Sequence, residues 1–335
     1  MKSVMVKCSI FILILNVAIF NTVRSSSDHF SLRMLNMNVW GIRYYSERKD
    51  ERMKGIVKFL QNSDYDIIFI QELWTPKDYK MLKKLYKYST QHGSPDSYTC
   101  PLMDGDDDVH FLRISPLDCN GLTILSKHKI LDTEYVFYDE KVPALMETVV
   151  RKGALAVKME LVKKSVDEDG HERLSRMRVT AVNSHFSGWF SKREETYSYI
   201  RLSQARSLLH FINKLKHDSD VVILAADLNS TPHSPVYHLL TSHLSDSLTQ
   251  YTGDLGSWSP EYDTWGHVNN TWSGPAHPHA YKQRSRIDYI MYTVRRGLEV
   301  QVEQYKTIAK DMIINYEIIS LSDHAWTEAT LKIYS

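Results

Sequence analysis

The chain has 335 residues, 41 Lys+Arg against 40 Asp+Glu, 43% apolar and 11% aromatic residues, and only 13 Gly and 10 Pro. Such a composition buries a sizeable core and excludes a disordered polar chain, a collagen-like rod and a small disulfide-stapled scaffold. A net charge of +1 lacks the basic footprint of a dedicated nucleic-acid binder, so no nucleic-acid partner is expected.

Lys2 and Lys7 lead into an apolar run over residues 8–20, followed by Arg24-Ser25-Ser26-Ser27. A cationic lead and a short apolar segment read as a secretory signal peptide over residues 1–25, because a membrane-spanning helix needs about 20 apolar residues. Residues 26–335 then read as one large domain of a secreted, extracellular protein, expected to be a monomer. They carry 38 basic residues (41 less Lys2, Lys7 and Arg24) against 40 acidic ones. Cys100 and Cys119 remain as an even pair suited to one disulfide in an oxidising compartment. Asn269-Asn270-Thr271 matches the N-glycosylation pattern in an expected surface loop.

In chain order, residues 32–39 and 66–73 read as strands. Between them Met53, Ile56, Val57 and Leu60 recur at helical spacing. Thr75-Pro76 gives an N-cap and a first helical proline. Further strands are predicted over 121–126, 154–162, 177–183, 221–226, 286–293, 298–305 and 326–333, with Asp169-Gly170 as hairpin chemistry between two of them. A long helix is predicted over 193–216, where Ala205, Leu208, Leu209, Ile212 and Leu215 line one face. Several strands are continuously apolar, which predicts sheets covered on both faces: a two-sheet sandwich with outer helices.

The strands share a pattern: each apolar run ends in titratable or metal-capable residues. The ends are Asn36 and Asn38, Gln71-Glu72, Asn183-Ser184-His185, Asp227-Leu228-Asn229, Asp288 in Arg286-Ile287-Asp288-Tyr289, and Asp323-His324. Singly, each has a bland account as a cap, a turn or a hydrogen-bonded core histidine. Together they matter more, because strand ends gather in sheets and gathered carboxylates repel unless neutralised. Oxygen ligands with few cysteines suit Mg²⁺, with Mn²⁺ or another divalent cation as substitute.

This ordered set resembles the endonuclease/exonuclease/phosphatase superfamily. Within it, Leu35-Asn36-Met37-Asn38-Val39-Trp40-Gly41, Gln71-Glu72-Leu73-Trp74, Gly121-Leu122-Thr123-Ile124-Leu125-Ser126-Lys127, Ala226-Asp227-Leu228-Asn229 and Arg286-Ile287-Asp288-Tyr289 look most like neutral sphingomyelinases. The resemblance implies an α/β (α+β) four-layered αββα sandwich of two mixed sheets flanked by helices. It also implies metal-assisted hydrolysis of a phosphodiester by in-line water attack. On the matching positions, Glu72, Asn38 and Asp323 belong to the metal, and His324 is the general base with Asp288 on its other ring nitrogen. Asp227 and Asn229 hold the attacking side and the phosphoryl oxygens, and His185 contacts the phosphate or the leaving oxygen. Asn229 also begins a glycosylation pattern, and a site role makes it a poor acceptor.

Loop aromatics, among them Trp189, Phe190, Trp265 and Trp272, suit a membrane–water interface or a choline head group. They direct the expectation to a sphingomyelin phosphodiesterase of phospholipase C type, acting on sphingomyelin or a lysophospholipid at a bilayer surface. The chain extends only two residues past the last predicted strand, which carries the expectation of an enzyme without a C-terminal anchor. The alternatives are a secreted deoxyribonuclease-like phosphodiesterase and a non-catalytic binding protein on the same scaffold. An inositol-polyphosphate phosphatase fits less well, because Arg286-Ile287-Asp288-Tyr289 departs from that family's ending. The lysines over 77–87 read as a solvated helix face, Asp104-Gly105-Asp106-Asp107-Asp108 as an acidic loop, and His277-Pro278-His279 as loop.

Overall fold

Alternation along single strands sets the layers. A computed structural model describes residues 29–42, 46–91, 120–139, 151–166, 170–188, 194–253, 259–273 and 284–334. Strand β1 (His29–Asn38) buries Leu32 and Met34 in one hydrophobic cluster and Leu35 and Met37 in another. Strand β2 (Ile67–Gln71) divides likewise, Ile67 and Phe69 from Ile68 and Ile70. In β8 (Val221–Asp227), Val221, Ile223 and Ala225 part from Val222, Leu224 and Ala226. A strand covered on both faces has no polar side, which is why these segments read as unbroken apolar runs.

The first cluster is the core between two sheets. One sheet runs β11 (Glu299–Ile308), β14 (Trp326–Tyr334), β1, β2, β4 (Thr123–Ser126), β3 (Tyr88–Gln91). The other runs β5 (Ile130–Phe137), β6 (Gly153–Val166), β7 (Glu172–His185), β8, β10 (Asp288–Val294), β9 (Ser245–Asp246). Each is mixed: β1–β2 and β7–β8 pair in parallel, and the other pairs are antiparallel. Helices α1 (Lys49–Gln61) and α2 (Pro76–Leu82) cover the outside of the first sheet. Helices α3 (Glu194–Leu215) and α4 (Pro235–Thr241) cover the second. This is the four-layered αββα sandwich that the pattern and the resemblance imply. A short α5 (Ser247–Thr252) follows β9.

The Thr75 side chain accepts the Asp78 amide and Pro76 opens α2, as the sequence predicts. That helix ends at Leu82 in a 3₁₀ turn, and Lys77, Lys80, Lys83, Lys84 and Lys87 are all exposed. The hairpin β6–β7 runs past its predicted ends and beyond both neighbouring strands, with Gly170 at φ 84° in the turn. Edge strand β5 eluded the reading, because Asp132, Thr133 and Glu134 interrupt any apolar run on its exposed face. A separate hairpin of β12 (Asp311–Ile314) and β13 (Glu317–Ser320) was missed as well. Its two-residue turn places Asn315 and Tyr316 at φ 50° and 67°, the primed geometry that matches strand twist.

The signal peptide over 1–25, Cys100, Cys119, Trp189, Phe190, the acidic loop at 104–108 and the segment at 277–279 lie outside the described residues. No helix among the described residues is long and apolar enough to cross a membrane.

Candidate active site

The site is the polar continuation of the inter-sheet core. At one end of the sandwich, the positions that face the opposing sheet change from aliphatic to polar. In β1 the series Leu32, Met34 continues as Asn36, Asn38, and in β2 the series Ile67, Phe69 continues as Gln71. In β7, Val179 and Ala181 lead to Asn183 and His185, and in β8, Ile223 and Ala225 lead to Asp227. The first polar layer is an amide network, in which Gln71 Oε1 alone has no hydrogen-bond partner among the described residues. Gln71 Nε2 donates to Asn36 Oδ1 at 2.7 Å and to Asn183 Oδ1 at 2.6 Å. Asn183 Nδ2 donates to the carbonyls of Ile70 and Thr123. These bonds join the sheets directly beneath the ionisable groups.

Above that layer the predicted residues converge. Asn38 Nδ2 donates at 3.0 Å both to Glu72 Oε1 and to Asp227 Oδ2, so one amide bridges carboxylates from the two sheets. Asp227 Oδ2 also lies 3.4 Å from His185 Nε2 and 3.8 Å from His324 Nε2. His324 Nδ1 meets Asp288 Oδ2 at 2.9 Å. The backbone of Asp288 is itself held, its amide and that of Ile287 both donating to Thr264 Oγ1. Asn229 donates its amide to Asp227 Oδ1 at 3.0 Å, and its Nδ2 lies 3.3 Å from His185 Nε2 and 3.1 Å from the Phe186 carbonyl. Asn229 thus meets the site while its side-chain amide is engaged.

Backbone strain accompanies this convergence. Trp40, Glu72 and Asn229 adopt φ of 46°, 59° and 47°, a region non-glycine residues enter at a cost. Gly41 donates its amide to the Glu72 carbonyl at 3.1 Å, and a Cβ there would stand 2.3 Å from that oxygen. The Trp-Gly pair of the sequence is therefore a close backbone approach beside Glu72. Gly41→Ala is expected to lower the melting temperature by several degrees, from a cost of about 1–3 kcal/mol, with activity falling further as Glu72 shifts. Parallel thermal and rate measurements check this.

Burial penalises the Asp227 carboxylate, and Asp288 beside it adds repulsion, pushing its pKa up to about 7. Asp323 rises to about 6 through burial and the nearby Glu72 charge, against the opposing pull of His324 and Arg52. Burial alone would depress His324, but Asp288 and Asp227 outweigh it and hold that imidazole well above its ordinary value. His185 goes the other way: burial, then the charges of Lys152 and His324, hold it well below its ordinary value and neutral.

These are the electrostatics of a place short of positive charge. Glu72 Oε2 and Asp288 Oδ1 are buried without a hydrogen-bond partner, which is unfavourable unless something else satisfies them. Asp227, Asp288 and His324 offer atoms within 4.8 Å of one another. His324 and Asp288 already use their facing atoms on each other. The open carboxylate oxygen of Glu72, with Asp323 electrostatically linked to it, suits a hard divalent cation better. Asn38 Oδ1 accepts the Trp40 amide at 2.9 Å, which leaves its second lone pair for an ion, while its Nδ2 spans Glu72 and Asp227.

Two aromatic expectations divide. Trp265 is half-buried, its ring 5.1 Å from that of His324 in an edge arrangement. Trp272 is only 8% exposed, gives its indole N–H to the Ser320 carbonyl and packs on Trp40 at 5.2 Å. A covered ring with its N–H engaged inside the protein has little to offer a bilayer, so Trp272 is corrected from a surface contact to a buttress beneath β13. Asn269 is exposed in the loop beside it. The sequence reading missed Lys152, a buried cation whose Nζ lies 3.1 and 3.3 Å from the two ring nitrogens of His185. Its one signal is a lysine immediately before an apolar strand start, Lys152-Gly153-Ala154-Leu155.

Residues 35–324 match the model of the Endonuclease/Exonuclease/phosphatase family, so the chain belongs to that family. Within it the chain is similar to proteins named sphingomyelin phosphodiesterase and neutral sphingomyelinase. It is 25% identical over 310 residues to human sphingomyelin phosphodiesterase 2, covering 90% of this chain and 64% of that protein. The chain thus spans a little under two thirds of the length of that relative. Among solved structures, the fold resembles sphingomyelinase C from Streptomyces griseocarneus, with TM-score 0.58 and 19% identity over 90% of this chain and 99% of that one. It equally resembles Danio rerio TDP2 with a single-strand DNA product, with TM-score 0.60 and 20% identity over 90% and 98%.

Proposed function

We propose that the protein is a secreted, divalent-cation-dependent phosphodiesterase that cleaves sphingomyelin in the manner of a phospholipase C, releasing phosphocholine and leaving ceramide in the membrane. The observation that carries this reading is the meeting of Glu72, Asn38, Asp227, Asp288 and His324 around one polar mouth. Glu72 and Asp323 would hold a divalent cation such as Mg²⁺, which when bound would neutralise charge at the phosphate. The carboxylates hold His324 protonated while their charge is unopposed; with that charge offset by a bound cation, the neutral ring would take the proton of the attacking water at Nε2, while Asp288 accepts from Nδ1–H and fixes the tautomer. Asp227 and Asn229 hold the reacting groups between His324 and His185. Neutral His185, with Lys152 against it, faces the leaving oxygen as a hydrogen-bond partner, and that oxygen takes its proton from solvent water.

A lipid substrate is favoured by the hairpin β12–β13, four residues before His324. Ile313, Tyr316 and Ile318 are 74%, 102% and 63% exposed, whereas Met312 and Ile319 turn inward. Among the described residues, these three large side chains on a hairpin tip are left uncovered and suit the hydrocarbon edge of a bilayer. Changing all three to serine is expected to weaken binding to sphingomyelin vesicles by about 100-fold or more, with a far smaller effect on detergent-dispersed substrate. Vesicle sedimentation beside both rate assays distinguishes the two. Exposed Asn269 is open to a glycan on the secretory route.

The deciding experiment gives the purified protein sphingomyelin vesicles and single-stranded and duplex DNA in parallel, with Mg²⁺ and with chelator. Phosphocholine release that stops with chelator supports the proposal. DNA cleavage with intact lipid replaces it with a nuclease, and silence on both favours a binding protein.

A further inference from the structure

Arg52, on α1, is 1% exposed, and among the described residues its guanidinium meets no carboxylate at hydrogen-bonding distance. Its donors go to backbone carbonyls instead: Nε to Glu47 at 2.8 Å, Nη1 to Val39 at 3.1 Å and Leu321 at 2.8 Å, and Nη2 to Trp40 at 2.8 Å. The guanidinium also lies over the Trp40 ring at 4.6 Å. Val39 and Trp40 follow Asn38, and Val39 and Gly41 donate to the carbonyls of Gln71 and Glu72. Leu321 leads into Asp323 and His324. One planar side chain therefore ties the turn that seats Asn38 and Glu72 to the segment that carries Asp323 and His324.

We propose that Arg52 is a positioning residue that sets the separation of the two catalytic segments through the shape of its guanidinium rather than through its charge. The inference rests on the functional reading above for its activity arm alone. A fork of five N–H groups reaches several carbonyls at once, whereas a lysine ammonium in the same place reaches one or two. Charge and shape make opposite predictions. Were Arg52 present for its charge, lysine would replace it, and removing the charge would tighten a nearby dication, since like charges repel. If shape is what matters, lysine and methionine both let the segments drift, and the ion is bound more weakly in each.

The test compares Mn²⁺ binding by calorimetry in wild type, Arg52→Lys and Arg52→Met, with circular dichroism to establish folding. Both variants are expected to bind Mn²⁺ about 10–100-fold more weakly, the scale of lost outer partners at metal sites. kcat is expected to fall by a similar factor with little change in KM. Wild-type affinity and kcat in Arg52→Lys, or tighter binding in Arg52→Met, would overturn the proposal. If neither variant folds, Trp40→Leu serves: it keeps all four bonds and removes the stacked ring together with its packing on Trp272. Positioning then predicts at most a few-fold loss of Mn²⁺ affinity, and a loss as large as 10-fold would overturn it by making the ring the essential part. A wild type that binds Mn²⁺ without hydrolysing lipid defeats the substrate assignment and leaves this comparison intact.

Discussion

Replacing His324 with alanine is expected to lower turnover of sphingomyelin by about 10²–10⁴-fold, the range of a lost general base, while leaving folding and cation binding in place. The expectation follows from its two ring nitrogens. Nδ1 is held by Asp288 at 2.9 Å, and Nε2 lies 3.8 Å from Asp227 Oδ2, outside hydrogen-bonding distance. Asp288→Asn tests the same idea from behind. It keeps the shape but offers an amide where Nδ1–H requires an acceptor, so the imidazole is expected to turn or change tautomer and activity to fall by a comparable factor. The pH–rate profiles of both variants, measured with Mg²⁺ present, check the assignment. Near-normal rates in His324→Ala would remove it from the chemistry.

The second large effect is expected from Glu72→Gln. The change preserves volume and removes the charge that the open Oε2 contributes. Loss of turnover by orders of magnitude is expected, together with loss of the thermal stabilisation that Mg²⁺ gives the wild type. That stabilisation should itself depend on pH. Asp227 and Asp323 have pKa values raised to about 7 and about 6, above their unfolded value. His324 is held well above its ordinary value. For each, the contribution to metal-free stability is fully present below the unfolded pKa and is lost as pH rises through the folded one. The contribution of Asp227, Asp323 and His324 to metal-free stability should therefore fall between about pH 4 and 8, where the carboxylates ionise without compensation, against the opposite and smaller change expected at neutral His185. Mg²⁺ should raise the melting temperature more at pH 8 than at pH 5.5, and Glu72→Gln should flatten the difference. Equal shifts at both pH values would place the ion elsewhere.

Much of this architecture can be read from the chain because period-2 patterns and end residues are local. Leu35 to Trp40 announces a doubly covered strand and its polar end in six residues, and 221–229 does the same. Thr75-Pro76 marks a helix start by its own chemistry. What escaped the reading is fixed by tertiary position. Lys152 looks like any strand-flanking lysine until β6 pairs with β7 and Gly153 stands opposite His185. Arg52 sits within a predicted helix among Lys49, Asp50, Glu51 and Lys54, where an arginine signals only a solvated face. Trp272 carries the composition of an interfacial aromatic, and only its bond to Ser320 shows that it supports the hairpin. The exposed tip was missed because Met312-Ile313-Ile314 and Ile318-Ile319 are too short to announce strands, and their turn is Asn-Tyr without glycine.

The polar layer also shares its strands with the hydrophobic core, so catalysis and cohesion compete for the same positions. Each carboxyl or imidazole in that mouth stands where an aliphatic side chain would extend the contact between sheets, and evolution has kept a weakened seam there. A hydrophobic redesign of this end would be expected to yield a sturdier but inert sandwich. Drift toward such sequences offers a short route by which members of this fold lose their chemistry while keeping their shape.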